Sequence, residues 1–244
     1  VQTCALPILY FRFRDDVFLT TNLPKEEIEN KLRDLNKSDP NIEIKWEGGK
    51  SADYLDVTVT VEIPKFRTKI FRKLAAQPYV LPFNSAHPIH IMRNIPYAAA
   101  LRLTRICSNK NDLKNELDEM RITLMLNKYP PAFIDQQLKR FYKDLSGEET
   151  AATLLSDDHE KYRKKTLENE MNKNKKAIDF NNSIICHFSY TPELARFGQN
   201  FHEIWSEFFE ETPLNDTTAI YAYRNTENLK QLLVKKKPNE NTRN

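Results

Sequence analysis

Two adjacent carboxylates, Asp15 and Asp16, interrupt the otherwise aromatic and apolar run Y-F-R-F-R-D-D-V-F-L at residues 10–19. Phe11 and Phe13 alternate with Arg12 and Arg14 before the pair, and Val17 and Leu19 bracket Phe18 after it. A period of two marks short strands, which places the pair at the tip of a β-hairpin. Side-by-side Asp residues on a tight turn do not both ionise cheaply without a cation. Mg2+ suits them, because it takes hard oxygen ligands, keeps several waters and is commonly held by one or two carboxylates plus substrate phosphates. Two such ions about 4 Å apart can activate a primer hydroxyl and stabilise a leaving pyrophosphate. That chemistry normally needs one more carboxylate from another strand. The competing reading is a plain turn: Asp favours hairpin tips, and Asp157-Asp158 repeats the dipeptide in a polar stretch.

The elements around the pair follow from periodicity. Pro24 at a first helical position, Glu26 and Glu27 in the first turn, and Ile28, Leu32 and Leu35 on one face predict a short helix ending before Asp39-Pro40-Asn41. Ile42, Ile44 and Trp46 alternate with charged residues, and Gly48-Gly49 supplies a turn. Leu55, Val57, Val59 and Val61 then alternate with Tyr54, Asp56, Thr58 and Thr60. A third strand is expected at residues 66–72. From Ile95 the period changes to about 3.6. Pro96 is expected to open a helix running through Cys107; Leu113, Leu117, Met120 and Leu124 stripe a second, and Phe133, Ile134, Leu138 and Phe141 a third. Residues 146–182 are highly charged and weakly periodic, which predicts a linker or solvated helix. The aromatic-rich remainder, with Phe188, Tyr190, Phe197, Phe201, Trp205 and Phe208, predicts a small helical unit. The fold class is α+β.

With 244 residues, 40% hydrophobic and 29% charged, and only 4 glycines, the chain can bury a core and is neither disordered nor repeat-built. No apolar run approaches a membrane span, so no membrane partner is expected. The net charge of +3 is small, but Lys65, Arg67, Lys69, Arg72 and Lys73 cluster between Pro64 and Leu74 with no acid among them. Cys4, Cys107 and Cys186 are too few and too scattered for a disulfide framework, which fits a reducing compartment. The opening V-Q-T-C-A-L-P-I, residues 1–8, reads like the translation of a sequencing-adapter oligonucleotide; the native sequence is expected to start near Leu9 and to continue upstream.

From Leu9 onward the chain resembles the reverse transcriptases of Penelope-like retroelements. Phe13-Arg14-Asp15-Asp16 looks like their aromatic-x-Asp-Asp box. In order and spacing, L-D-V-T-V at 55–59, I-F-R-K at 70–73, S-A-H-P-I-H at 85–90 and I-P-Y-A-A-A-L-R-L-T-R-I-C-S at 95–108 follow the family. Y-R-N-T-E-N-L-K-Q-L-L-V at 223–234 resembles its connector. The resemblance implies a partial polymerase palm (9–84), a helical thumb (85–145), the charged linker (146–182) and a helical C-terminal connector (183–244). It implies RNA-directed DNA synthesis with two Mg2+ ions, an RNA template, a DNA primer and deoxynucleoside triphosphates. Asp15 and Asp16 would be the catalytic metal ligands, Asp15 the more important, with a third carboxylate expected upstream of Leu9; the fragment alone is expected to be inactive. A nuclear location and a possible GIY-YIG endonuclease beyond the C-terminus also follow from the family.

The same resemblance assigns nucleic-acid contacts to Arg14, Arg72, Lys73, Arg93, Arg102 and Arg105. Arg72 and Lys73 would lie near the primer-gripping hairpin, holding phosphates without reading sequence. Arg102 and Arg105, three apart, share a helical face. Arg14 and Leu74 depart from the family, which more often has a smaller or apolar residue and a proline there. Alternatives are a non-catalytic nucleic-acid-binding remnant or domesticated copy, and a telomerase-related enzyme, which the H-P-I-H and I-P-Y strings disfavour. His87, His90 and Cys107 lack a fourth zinc ligand at normal spacing, so structural hydrogen bonding is expected for them. Cys186-His187 is expected to be buried.

Overall fold

The computed structural model describes residues 8–171, 179–191 and 197–224. The greater part of the adapter-like opening and nearly all of the connector string therefore lie outside the described residues. The chain is α+β, as expected. β1 (Leu9–Phe13) and β2 (Asp16–Thr20) form an antiparallel hairpin in which Phe13 faces Asp16 across a two-residue loop, Arg14-Asp15. Its apolar side chains Tyr10, Phe11, Phe13 and Val17 are exposed, while Phe18 is half-buried. α1 (Lys25–Ser38) follows, with Pro24 as its N-cap, and ends at Asp39 ahead of Pro40.

A three-stranded antiparallel sheet comes next, in the order β3 (Ser51–Tyr54), β4 (Val57–Glu62), β5 (Lys65–Ile70). This corrects the expected strands. The alternation from Tyr54 to Val61 is not one strand: it is broken by a two-residue loop at Leu55-Asp56, where Leu55 takes the left-handed conformation with φ 56°. Nor do Ile42, Ile44 and Trp46 form a strand. The Asn36 carboxamide satisfies the Ile44 backbone instead, donating to its carbonyl at 2.9 Å and accepting from its N–H at 2.6 Å. A side chain that meets both backbone groups removes the need for a ladder partner.

The core is helical. α2 (Ile89–Ile106), α3 (Lys110–Leu126) and α4 (Pro131–Ser146) pack through Met92, Leu103, Leu113, Leu117, Met120, Leu124, Ile134, Leu138 and Phe141, all buried. The α3 stripe and the α4 stripe fall where the spacing predicts. α2 does not open at Pro96. It starts after Pro88, and Pro96 sits inside it, buried. Proline removes one intrahelical bond, and burial of Met92 (2% exposed), near the Tyr129 hydroxyl, holds the early turns in place. Asn127 pins the strap before α2: its amide donates to the Pro78 carbonyl at 2.7 Å, and the Tyr129 hydroxyl donates to Leu81 at 2.9 Å.

Part of the segment read as a charged linker is packed. Leu154 is buried, and α5 (His159–Met171) lies against α2. The His159 ring meets the Cys107 carbonyl at 3.0 Å, Arg163 donates to the Arg105 carbonyl at 3.0 Å, and Lys165 donates to the Leu145 carbonyl at 2.6 Å. These side chains satisfy carbonyls at the C-terminal ends of α2 and α4, where the helix dipole favours positive charge. The charge that looks solvated in sequence has partners in space.

The C-terminal unit is not purely helical. β6 (Ser183–Ser189) pairs in parallel with β7 (Thr218–Arg224), and α6 (Phe197–Phe209) lies between them in sequence. Phe188 on β6 and Tyr190 just past its end, and Tyr221 and Tyr223 on β7, are spaced by two, and their rings pair across the strands. Phe197 and Phe201 complete the cluster. A Cβ on Gly198 would stand 3.2 Å from the Tyr221 ring, so the helix approaches that closely only with glycine there. Cys186 is half-buried and His187 exposed, contrary to the expected burial, because adjacent strand residues point to opposite faces.

The helical core should weaken in alkali. Burial, helped by the nearby Glu116 carboxylate, pushes the Cys107 thiol from near 9 up to about 11, and burial pushes the Tyr142 phenol from near 10 to about 12. A raised pKa favours the neutral form in the fold. The contribution is complete below the unfolded value and is lost as pH climbs to the folded one: from 9 to 11 for Cys107 and from 10 to 12 for Tyr142. Each full titration costs about 2–3 kcal/mol. Urea midpoints followed by circular dichroism should hold up to about pH 9 and fall above it, and Tyr142→Phe should remove the later part of the fall.

Candidate nucleic-acid interface

The carboxylate hairpin is open to solvent. Asp15 occupies the second position of the loop, Asp16 begins β2, and Arg14 before them takes a left-handed φ of 52°. Arg12 donates to the Arg14 carbonyl at 3.0 Å, and the Arg14 guanidinium stands 5.6 Å from the Phe13 ring centroid. Both arginines are thus engaged along the hairpin, and neither Asp15 nor Asp16 has a hydrogen-bonded or ion-paired side chain among the described residues. Two hard-oxygen donors at an exposed tip fit an Mg2+ that draws its other ligands from water and substrate phosphates. Asp15 and Asp16 would hold it, and the bound ion would supply Lewis-acid polarisation of a phosphoryl oxygen. No group of three or more His, Cys, Asp or Glu gathers for a metal among the described residues, so the pair alone does not make a two-ion site.

The hairpin leads into the sheet through an aromatic contact. Phe18, two residues after Asp16, meets Tyr54 at a ring distance of 5.6 Å, and Tyr54 abuts the Leu55-Asp56 loop. The Asp56 carboxylate pairs with Arg102 of α2, and its carbonyl accepts from the Phe71 N–H at 2.9 Å. Around this junction lies an open cleft of about 420 Å³, lined by Leu55, Asp56, Arg72, Lys73, Ala76 and Arg102 among others. Residues from β3–β4, the chain after β5 and α2 therefore converge.

Three of the six expected nucleic-acid contacts, Arg72, Lys73 and Arg102, share this cleft. Arg72 is ion-paired with Glu116, and that hydrogen bond is the main cause that holds its guanidinium above its ordinary pKa. Arg102 is tied to Asp56. The Lys73 ammonium has no ion-pair partner among the described residues. Arg105 lies one turn beyond Arg102, with its carbonyl held by Arg163. Arg93 is elsewhere: nine positions from Arg102, at about 100° per residue, is half a turn, so the two occupy opposite sides of α2.

The junction residues Tyr54 and Asp56 were not legible as site residues, because the alternation of residues 54–61 reads as continuous strand. Only the left-handed loop exposes them. His87 bonds Ser85 at 3.1 Å, in keeping with a structural role, and Cys107 is buried. Arg67, in the basic run, is fully engaged by Asp112 through two bonds of 2.7 and 2.8 Å, a bidentate pairing that ties β5 to α3.

No helix among the described residues is long and apolar enough to cross a membrane. α2 and α3 are joined by Cys107-Ser108-Asn109, with the Asn109 side chain capping α3 at 2.8 Å, and α3 and α4 by residues 127–130. Short turns between packed helices define the helix-turn-helix arrangement. No curated protein and no solved structure matches this chain. Residues 79–139, running from the strap before α2 through α3 and into α4, are similar to the family described as an animal helix-turn-helix domain.

Proposed function

We propose that this chain is the nucleic-acid-holding part of an RNA-directed DNA polymerase of the Penelope-like kind. In this reading the β1–β2 hairpin belongs to the palm and contributes Asp15 and Asp16 to its Mg2+ site. The sheet completes the palm's edge, and α2–α4 form a thumb against an RNA–DNA duplex. RNA template, DNA primer and deoxynucleoside triphosphates are the partners, and the nucleus is the expected compartment. The observation that carries the reading is the continuity from Asp16 through Phe18 and Tyr54 to Asp56, where Arg72, Lys73 and Arg102 line one cleft. Residues that the family resemblance selects from three distant stretches are thereby neighbours.

A second reading has its own support: the helix-turn-helix similarity of residues 79–139 favours a chain that grips nucleic acid without chemistry. Both readings expect binding of a labelled RNA–DNA hybrid, followed by fluorescence anisotropy, that weakens steeply between about 50 and 200 mM salt. Lys73→Gln should lower the slope of log affinity against log salt by about 1. Lack of binding at low salt would overturn both. Mg2+-dependent primer extension by the polymerase that contains this chain separates them, since only the first reading predicts it.

A further inference from the structure

α2 has a second basic cleft, on the side away from Arg102. It measures about 470 Å³ and is lined by His90, Ile91, Arg93, Asn94, Ile95 and Arg140. Two guanidinium groups from two helices, an imidazole and a carboxamide meet there, and no carboxylate lines it. Arg140 stands over the Tyr97 ring at 5.3 Å from its centroid and forms a long, exposed ion pair with Asp144 at 3.9 Å. Arg93 is exposed and has no ion-pair partner among the described residues. The cleft also lies at the electropositive end of α2, whose first turn carries no acid. Beyond it, Gln136, Lys139 and Lys143 follow one exposed face of α4 at helical spacing.

We infer that this cleft is a second phosphodiester-binding site, in which Arg93 and Arg140 each meet a backbone phosphate of a nucleic acid that runs along α4. The planar fork of arginine suits phosphate oxygens, and Ile91 and Ile95 offer an apolar floor to a sugar or base. The five α2 residues of the lining fall within the helix-turn-helix-like stretch, which ends one residue before Arg140. This inference rests on the nucleic-acid reading above but uses a different surface. A strand held at Arg72, Lys73 and Arg102 would have to pass around α2 to reach it, so the two clefts hold separate stretches of backbone.

The test compares wild type, Arg93→Gln/Arg140→Gln, and a Lys31→Gln/Lys37→Gln control that removes the same charge from exposed positions on α1. Each is titrated with a DNA duplex and with an RNA–DNA hybrid at several salt concentrations. The cleft variant should lose about 1.8 from its salt slope, against a small change in the control. Arg93→Gln alone, which leaves the Arg140–Tyr97 contact intact, should lose about half of that. Weakening on only one of the two probes would assign the site to that form. A cleft variant whose slope matches the control, with wild type still binding, would overturn this inference and leave the proposed function standing. Polyglutamate that competes as well as the duplex would also overturn it, by assigning the cleft to carboxylates. Failure of wild type to bind either duplex would instead strike the proposed function.

Discussion

On the proposed polymerase reading, Asp15→Asn should reduce single-turnover primer extension by about a thousandfold, equivalent to about 4 kcal/mol of lost transition-state stabilisation. The substitution keeps size and turn preference, since Asn tolerates the same loop conformations as Asp. It removes the charge that would hold Mg2+, at a carboxylate that makes no hydrogen bond or ion pair among the described residues. Affinity for the RNA–DNA hybrid should stay within about twofold, because counterion release depends on the cations and not on the carboxylates. A variant that extends primers at the wild-type rate would remove Asp15 from the chemistry and leave the non-catalytic reading in its place.

Phe141→Ala should destabilise the helical unit by about 3–5 kcal/mol in urea unfolding. Phe141 is 1% exposed and meets the Tyr97 ring of α2 edge-on at 5.4 Å and the neighbouring Tyr142 ring at 5.5 Å. Its removal leaves a cavity at the contact between α2 and α4. A typical domain has about 5–15 kcal/mol to lose, so the variant should be largely unfolded at moderate urea. Because α2 carries Arg93 and Arg102, nucleic-acid binding should weaken with it. Phe11→Ala on the exposed hairpin should change stability by no more than about 0.5 kcal/mol. A loss below about 1 kcal/mol at Phe141 would show that the α2–α4 contact is not what holds the unit.

These expectations differ in how much of them could be read before the structure. The buried stripes of α3 and α4 and the existence of a hairpin around Asp15 and Asp16 are local, because periodicity reports the burial or exposure of neighbours a few positions apart directly. The turn itself falls one residue earlier than expected, at Arg14-Asp15, with Asp16 already paired in β2. The start of α2 was not legible, because Pro96 is a strong opening signal locally and is outweighed by packing around Met92. The parallel β6–β7 pair was also hidden. Its aromatics satisfy both a strand spacing and a loose helical one, and only a partner 35 positions away resolves the choice.

By itself, then, the sequence determined the α+β class, the hairpin bearing Asp15 and Asp16, and two of the core helices, since these depend on side-chain spacing along one element. Tertiary structure alone decided the site. The Asp56–Arg102, Arg72–Glu116 and Arg67–Asp112 pairs each join residues more than 40 positions apart. It also put Arg72, Lys73 and Arg102 in one cleft and Arg93 in another on the opposite side of α2, and drew α5 onto the carbonyl ends of α2 and α4. Such contacts are selected by the closure of the whole chain, where a charge near the core is stable only beside a partner, and no local period records which partner that is.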